Sequence, residues 1–384
     1  MSHDEAKRFL TPADLYRQLR ALSGEKAEAQ RLEYALFLEI IGCEEAIQHA
    51  KNAGERRAEP LLRQRRARLK RVADGLAWKY FRDNELGLKM FAVNPAPGFM
   101  FGKKGVSAER EQLDIIKDLA VIDFVIQNDI TNILRSGDLT FRAGTIVQPI
   151  EVKSGAGSFF TDRAKRQTER REALLKYIET GTTNHQSLLT GNGGPRQHIH
   201  VPETRGRYWA TLDEVFESAR ERGTDWRVAD DGVILIGWHG ISEKEAISYC
   251  MPEIMNQSGW VRPKIMMSQL SEQFKPLEND ILRFAMPVTA FEVQEAVVAD
   301  LLDGVFDICM LVDINRVAKM FADRGYPAVC DGGHWKISTG GDWTIEGTLV
   351  SWNRVLYELQ TTQSFVDTTT ASFETGIARI ESEK

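Results

Sequence analysis

The expected fold is decided by two stretches of sequence, Gly137-Asp138-Leu139-Thr140-Phe141 and, nine residues further on, Ile150-Glu151-Val152-Lys153-Ser154. Each combines apolar residues with an acid in a way that is typical of a β-strand, and the Ala143-Gly144 pair between them marks a tight turn. The sequence therefore predicts two paired strands, over about residues 138–142 and 145–153.

The charged residues of these strands predict a metal site. Glu151 and Lys153 lie two positions apart, so on a strand they point to one face while Val152 points into a core. A hard cation such as Mg²⁺ takes oxygen ligands, which Asp138 and Glu151 would supply as carboxylates and Val152 as a backbone carbonyl. Lys153 would orient or help to deprotonate an attacking water and offset the charge of a phosphate.

The alternative is a surface strand on which Glu151 and Lys153 form an exposed ion pair of little energetic value. Three features favour the metal site. The apolar run 146–150 predicts a buried strand, a glycine-rich loop follows Lys153 at once, and a basic helix is expected after it.

In Asp138, Glu151, Lys153 and their strand context the sequence resembles the PD-(D/E)XK nuclease superfamily, which includes restriction enzymes, exonuclease domains and phage-defence nucleases. The resemblance implies an α/β fold with a restriction-endonuclease-like α-β-β-β-α-β core. It also implies Mg²⁺ or Mn²⁺ as the cofactor and metal-dependent hydrolysis of DNA. Asp138 and Glu151 are implied as metal ligands, and Lys153 as the catalytic lysine.

Members of this superfamily often carry a further acid on the helix before the first strand, and some carry a glutamine on the helix after the lysine. Ser107 is expected to open the preceding helix, so the resemblance implies Glu111 or Glu109 as a further metal ligand. Gln167 is implied as a further catalytic residue. The sequence departs from the family pattern at Gly137, which replaces a proline, although glycine also permits a turn into a strand.

Two basic segments predict contact with a nucleic-acid backbone, because Lys and Arg that neutralise phosphates give sequence-independent affinity. A helix expected over 161–179 contributes Arg163, Lys165, Arg166 and Arg170. A run over 63–71 contains no acid and contributes Arg65, Arg66 and Arg68. The alternatives are a solvated face with i,i+4 ion pairs for the first segment, and docking on the acidic second half of the chain for the second.

Charge and cysteine content restrict the function classes further. Residues 1–200 hold 32 Lys and Arg against 26 Asp and Glu, whereas the remainder holds 17 against 29, so we expect a polyanion to bind the first half. The four cysteines form no Cys-x-x-Cys pair, which argues against a zinc cluster or a disulfide framework. Without a signal-like N-terminus or a long apolar window, we expect a soluble cytoplasmic protein with no membrane partner. No nucleotide cofactor is evident, because no phosphate-binding loop sequence is present.

The N-terminal region, residues 1–92, is expected to be helical. Thr11 is predicted as the N-cap of a helix that has Pro12 at its first position. Apolar residues at helical spacing then predict long helices over about 25–52 and 59–81.

Two further regions are expected, a PD-(D/E)XK-like nuclease domain over 93–195 and a C-terminal α/β or α+β domain over 196–384 that senses, assembles or recognises. In the latter, apolar runs predict strands at 233–238 and 308–312, and helices are predicted at 243–256, 290–302 and 314–324. The final twenty or so residues, rich in Thr, Ser and Glu, are expected to be poorly ordered.

The resemblance thus implies a metal-dependent DNA endonuclease that works as a homo-oligomer, with a role in antiviral defence or restriction. Two alternatives remain open. One is a nuclease-fold protein without activity that binds nucleic acid or acts as a scaffold. The other is a nuclease directed at RNA, because the carboxylate-lysine site does not itself detect the 2′-hydroxyl group.

Overall fold

The structure is a computed structural model that describes most of the chain between Leu10 and Ser382. The residues it does not describe are 1–9, 83–87, 89–90, 93–97, 153–168, 170–171, 174–175, 177–181, 184–195, 198–205, 258, 261–262, 276–281, 283–284, 332–333, 340–342, 348 and 383–384. The fold is mixed α/β with small antiparallel sheets. The chain divides into two compact units, Met1–His198 with Phe274–Arg283, and Ile199–Gln273 with Phe284–Lys384.

The first unit begins with three helices, α1 (Pro12–Ala21), α2 (Lys26–Ala53) and α3 (Ala58–Phe81). The predicted start of α1 is confirmed, because the Thr11 hydroxyl accepts the N–H of Asp14 at 3.1 Å and the Asp14 carboxylate accepts the N–H of Thr11 at 3.1 Å. This reciprocal pair of bonds satisfies backbone donors that the helix itself leaves unpaired. The two long helices lie within a residue of their predicted bounds and pack against each other.

Helix α4 (Val106–Lys117) leads into a three-stranded antiparallel sheet of order β1-β2-β3. The strands are β1 (Phe124–Gln127), β2 (Leu139–Ala143) and β3 (Ile146–Ile150). Apolar side chains of α4 and the sheet form one core, to which Leu113, Ile116, Ile122, Val125 and Leu139 contribute. A further short pair, β4 (Thr182–Thr183) with β5 (Arg196–Gln197), also lies in this unit.

Strand β3 is shorter and more exposed than predicted. It ends at Ile150 instead of continuing to residue 153, and Ile146 is 60% exposed, so the expected burial of this strand is wrong. Among the described strands β3 lies at the edge of its sheet. Its Pro149, which has no N–H to donate to a neighbouring strand, is typical of such an edge position.

The second unit contains a four-stranded antiparallel sheet of order β6-β7-β9-β8, with strands Thr224–Asp230, Val233–His239, Phe306–Asp313 and Ile265–Gln269 respectively. The unit starts with α5 (Trp209–Arg222). Helix α6 (Glu243–Gln257) packs on one face of the sheet through Ala246, Cys250 and Ile254. Helices α7 (Glu295–Asp303) and α8 (Ile314–Ala322) flank β9 in sequence. The strands and helices predicted for this region are confirmed, with α7 beginning five residues later than expected.

The remainder of the second unit is a smaller antiparallel sheet followed by two helices. The strands are β10 (Ala328–Asp331), β11 (His334–Ser338) and β12 (Thr344–Gly347), and the helices are α9 (Leu349–Leu356) and α10 (Thr362–Ser382). The expectation of a poorly ordered C-terminus is wrong, because Phe365 and Phe373 of α10 are buried among apolar neighbours.

The expected boundary between residues 92 and 93 does not separate two compact units. Helix α2 contacts β1 directly, so the helical region and the sheet share one unit. The expected boundary between residues 195 and 196 lies close to the first point at which the chain passes from one unit to the other, after His198. None of the helices in the described parts of the chain is long and apolar enough to cross a membrane.

Arg110 joins α4 to α2 and so fixes the helix that leads into the sheet. Its guanidinium donates to both carboxylate oxygens of Glu33, at 2.7 and 2.9 Å, and lies 4.6 Å from the centre of the Phe37 ring. Glu33 is fully buried. Burial raises the pKa of Glu33 and the Arg110 charge opposes that rise.

Replacing Arg110 with methionine should strongly destabilise the protein, because it leaves the buried Glu33 without its charge partner. We expect a loss of about 3–5 kcal/mol in the free energy of unfolding, measured by urea denaturation. Lys117→Met is the matched control, because Lys117 lies on the same helix and pairs with Asp114 at the surface, and it should cost less than about 1 kcal/mol. Equal losses in the two variants would contradict this account.

Candidate active site

Asp138 immediately precedes β2 and is held by the end of β3. Its N–H donates to the carbonyl oxygen of Ile150 at 2.8 Å, and its carboxylate accepts the N–H of Val152 at 2.8 Å. The antiparallel register ends with the pair of Leu139 and Ile150, and the charge of Glu151 raises the pKa of Asp138. The two predicted carboxylates therefore lie close together where the paired strands end.

Gly137 is required by the same geometry. Its φ is +83°, a conformation that side-chain-bearing residues rarely adopt. A Cβ atom placed on it would lie only 2.7 Å from the carbonyl oxygen of Ile150. Gly137 thus allows the chain to pass close to β3 just before Asp138.

Asn128, which directly follows β1, positions the segment around Asp138 and was not identified from the sequence. Its side-chain amide donates to the carbonyl oxygens of Ser136 and Gly137, at 2.9 and 3.1 Å, and its side-chain oxygen accepts the hydroxyl of Thr140 at 2.8 Å. Its backbone N–H donates to the carbonyl of Asp138 at 2.9 Å. A single buried side chain therefore fixes the turn before Asp138 and the start of β2.

Of the two helix acids left open by the sequence, Glu109 lies near Asp138 and Glu111 does not. Glu109 is 3% exposed in the first turn of α4, and its carboxylate accepts the side-chain N–H of Gln127 at 2.7 Å. Glu111 is exposed, because two residues along a helix turn a side chain by about 200°. The structure therefore gives Glu109 the place that Glu111 was predicted to fill.

Lys103 and Asp129 complete the cluster, and neither was identified from the sequence. The Lys103 ammonium lies 2.8 Å from a Glu109 oxygen, 2.6 Å from an Asp129 oxygen and 4.0 Å from an Asp138 oxygen. Lys103 belongs to the turn before α4, and Asp129 to the single 3₁₀ turn after β1. Both residues lie far in sequence from the Glu-x-Lys pattern, so that pattern does not indicate them as members of the site.

Asp138 and Glu109 lie where burial disfavours the charged form of a carboxylate. Burial raises the pKa of Asp138 to about 6, the Val152 N–H opposes this rise, the Glu151 charge adds to it and the Lys103 charge opposes it. Burial likewise raises the pKa of Glu109, where Lys103 opposes the rise and the Asp138 charge adds to it. Acids whose pKa values are shifted by burial and by charged neighbours in one place are typical of functional sites.

The ends of the described strands also show where Val152 and Glu151 lie. Val152 packs against the core shared by α4 and the sheet, as the alternation along the strand predicted. Glu151 is partly exposed and close enough to Asp138 to affect its pKa. These positions agree with Glu151 and Val152 facing opposite sides.

Several predicted site residues lie outside the described residues, namely Lys153, Gln167, Arg163, Lys165, Arg166 and Arg170. The structure describes four residues of the helix expected over 161–179, and all four are helical, namely Glu169, Glu172, Ala173 and Lys176. The roles of this group therefore stay predictions.

The basic run of α3 has local carboxylate partners, contrary to what the run itself suggested. Arg65 pairs with Glu39 at 2.7 Å, and Arg66 pairs with Glu44 at 2.6 Å. Arg68 is only partly exposed. Because α2 packs against α3, its acids neutralise charges that the sequence of α3 leaves unbalanced.

Within the described ranges, no group of three or more His, Cys, Asp or Glu side chains is arranged to hold a metal ion. The carboxylates of Glu109 and Asp129 are joined by the Lys103 ammonium instead. Mg²⁺ usually keeps several waters and takes one or two carboxylates together with substrate phosphates. Asp138 and Glu151, which lie close enough to interact electrostatically, are a donor set of that kind.

No protein-family model, no characterised protein and no solved structure matches this chain. The site is therefore interpreted from its own residues.

Replacing Gly137 with alanine should destabilise the protein, because the new Cβ would meet the backbone of Ile150 in a backbone conformation that alanine disfavours. We expect a loss of at least about 2 kcal/mol in the free energy of unfolding, measured by chemical denaturation. Gly144→Ala is the control, since Gly144 also has a positive φ of 59° but nothing lies within 4 Å of its added Cβ. It should cost about 1 kcal/mol, and a larger loss there than at Gly137 would refute the steric argument.

Replacing Asp138 with asparagine should stabilise the metal-free protein at neutral pH. The folded pKa of Asp138, about 6, lies above its ordinary value of 3.8, so folding favours the protonated form and wild-type stability falls as pH rises through this window. In EDTA at pH 7–8 the variant should gain on the order of 1–2 kcal/mol, because one pKa unit is about 1.4 kcal/mol and the partly exposed carboxylate is screened.

The measurement is urea denaturation of both proteins at several pH values from 4 to 8. The advantage of the variant should shrink toward zero near pH 4, where both side chains are neutral. A wild-type protein that gains stability relative to the variant between pH 4 and 7 would contradict the raised pKa.

Proposed function

We propose that this protein is a metal-dependent nuclease that hydrolyses phosphodiester bonds of DNA, with a restriction-endonuclease-like core. The observation that carries the proposal is that hydrogen bonds hold Asp138 against Ile150 and Val152, the two neighbours of Glu151, and that the charge of Glu151 acts on Asp138. The element order α4-β1-β2-β3 supports it, because it matches the first four elements of the α-β-β-β-α-β core.

Glu109 gives the proposal its third acid. It projects from the helix that precedes the three strands, where superfamily members often carry an additional carboxylate, and its pKa responds to the charge of Asp138. The resemblance implies Glu111 or Glu109 in this role, and the position of Glu109 beside Asp138 supports the second of the two.

The donor chemistry fits a hard divalent cation. Carboxylate oxygens are the ligands that Mg²⁺ and Mn²⁺ prefer, and the raised pKa values of Asp138 and Glu109 show that additional positive charge would be favourable here. Asp138 and Glu151 would hold the ion, with the carbonyl of Val152 and water as further donors. Bound there, the ion would polarise the phosphate and lower the pKa of a water molecule.

The protein's own groups would do the rest. The Val152 N–H keeps the Asp138 carboxylate oriented by a 2.8 Å hydrogen bond, so the acid does not need to reorganise on binding. In the proposal Lys153 orients the attacking water and offsets charge on the phosphate, and Gln167 assists it. In the proposal phosphate contacts come from the segment 161–179, because Arg65 and Arg66 of α3 pair with acids of α2.

A role in restriction or antiviral defence and assembly into a homo-oligomer belong to the same proposal. The second unit would then recognise a signal, a partner or another copy of the chain. A homo-oligomer with two such sites would cleave both strands of a duplex.

The proposal is tested by incubating supercoiled plasmid DNA with the full chain in Mg²⁺, Mn²⁺ or EDTA. We expect cleavage with either ion and none in EDTA, and a loss of at least about a hundredfold in rate for Asp138→Ala, Glu151→Ala and Lys153→Ala. Glu109→Gln should reduce the rate, whereas Glu111→Gln, on the exposed side of the same helix, should leave it unchanged.

Two outcomes would overturn the assignment. Cleavage that survives both Asp138→Ala and Lys153→Ala would place the chemistry elsewhere. Salt-sensitive DNA binding without any cleavage would favour a nuclease fold that only binds. A matched single-stranded RNA substrate in the same assay determines which nucleic acid is cut.

A further inference from the structure

The ammonium group of Lys103 lies among carboxylates that come from three different elements. Glu109 belongs to α4, Asp129 to the turn after β1 and Asp138 to the start of β2, and the distances from the Lys103 nitrogen are 2.8, 2.6 and 4.0 Å. The three acids are at most 22% exposed. One side-chain cation thus lies within 4.0 Å of three acids, so the ionised carboxylates outnumber it.

The turn that carries Lys103 is anchored independently of these acids. The backbone N–H groups of Met100 and Phe101 donate to one oxygen of Glu44, at 2.6 and 3.0 Å, and Met100 is buried. The other oxygen of Glu44 accepts from Arg66. The backbone of the turn is therefore held by α2, and the Lys103 side chain can move without the turn being released.

Lys103 is both accessible and paired with carboxylates that are largely buried. Its side chain is 37% exposed, whereas Arg110 and Arg66, which also pair with buried acids, are 14% and 17% exposed. Burial lowers the pKa of Lys103, but its hydrogen bonds with Asp129 and Glu109 outweigh this and raise it, so the side chain stays charged. A lysine side chain has four flexible carbons, and its charge is therefore easily moved into solvent.

We propose that Lys103 is a tethered cation that competes with the divalent metal ion for the carboxylates of Glu109 and Asp138. Its ammonium holds the metal-free cluster together and leaves Glu109 for solvent when the ion binds. This inference rests on the proposed function, because it concerns the same metal site, but it assigns a residue that lies outside the Asp and Glu-x-Lys pattern.

The physical reason is that two cations near the same carboxylates repel each other in a partly desolvated site. Lys103 therefore weakens metal binding and sets the concentration of Mg²⁺ or Mn²⁺ at which the site fills. Without Lys103 the acids repel one another unopposed in the metal-free protein, and the metal ion becomes the cation that relieves this repulsion.

The experiment is titration calorimetry of the full chain with Mn²⁺ alone, without nucleic acid. Lys103→Met should bind Mn²⁺ at least about tenfold more tightly than the wild type, because a charge a few ångströms from the ligands is removed. Lys103→Arg, which keeps the charge, should stay close to the wild type. Lys104→Met is the matched control, because Lys104 is an exposed neighbour on the same turn for which the described residues show no ion pair, and it should bind Mn²⁺ as the wild type does.

Thermal unfolding provides the second readout. In EDTA, Lys103→Met should melt below the wild type, and saturating Mn²⁺ should raise its melting temperature by more than it raises that of the wild type. Lower stability in Lys103→Met without tighter Mn²⁺ binding would show a purely structural ion pair and overturn the inference. Weaker Mn²⁺ binding in Lys103→Met would show that Lys103 supports the ion and would also overturn it.

The failure of this inference and that of the proposed function are distinguishable. If the protein shows metal-dependent cleavage but Lys103→Met binds Mn²⁺ with unchanged affinity, the proposed competition is refuted and the proposed nuclease function stands. If no variant binds Mn²⁺ and none cleaves DNA, both the proposed competition and the proposed nuclease function are refuted.

Discussion

The close approach of Gly137 to Ile150 is the constraint on which the candidate site depends. Because no side chain separates the two backbones, the N–H of Asp138 reaches the carbonyl of Ile150 and the N–H of Val152 reaches the Asp138 carboxylate. The position of Asp138 relative to Glu151 is therefore set by strand register and backbone hydrogen bonds. A site built in this way is more precise than one that depends on long side chains alone.

The same constraint creates an electrostatic problem for the folded state. It brings Asp138 to Glu151, Glu109 and Asp129, and burial together with mutual repulsion raises the pKa of Asp138. Such charges oppose folding, so the elements that carry them need independent support. That support is present on α4, where the buried pair of Arg110 and Glu33 fixes the helix, and in the sheet, where Asn128 ties the turn before Asp138 to β1.

Local patterns in the sequence predicted α1 to α3, α6 to α8 and the strands β2, β7 and β9, because caps and apolar spacing depend on near neighbours. The Thr11 cap is an example, as both of its bonds join residues three positions apart. The sequence does not predict the first strand, Phe124–Gln127, because its four residues are all buried and show no alternation. The preference for Glu109 over Glu111 needed the orientation of α4, which long-range contacts determine.

The site was predictable to the extent that its residues are close in sequence. Asp138 and Glu151 flank the two strands of one hairpin, so the turn at Gly144 suffices to bring them to the same end of it. Lys103 and Asp129 come from turns 35 and 9 residues before Asp138, and neither belongs to a periodic pattern. Their approach depends on how α4 packs on β1, which no local pattern contains.

The arginines of α3 show why a charged run in a sequence does not define a charged surface. Arg65 and Arg66 contact Glu39 and Glu44, which come from a different helix and lie more than twenty residues away in sequence. Pairing of this kind consumes the guanidinium donors that a phosphate would need. If the protein binds a nucleic-acid backbone near Asp138, the electrostatic attraction must therefore come mainly from cations other than Arg65 and Arg66. The sequence contains such cations in the basic segment that follows Lys153. The strength and salt dependence of DNA binding should accordingly follow Arg163, Lys165, Arg166 and Arg170 more closely than the arginines of α3.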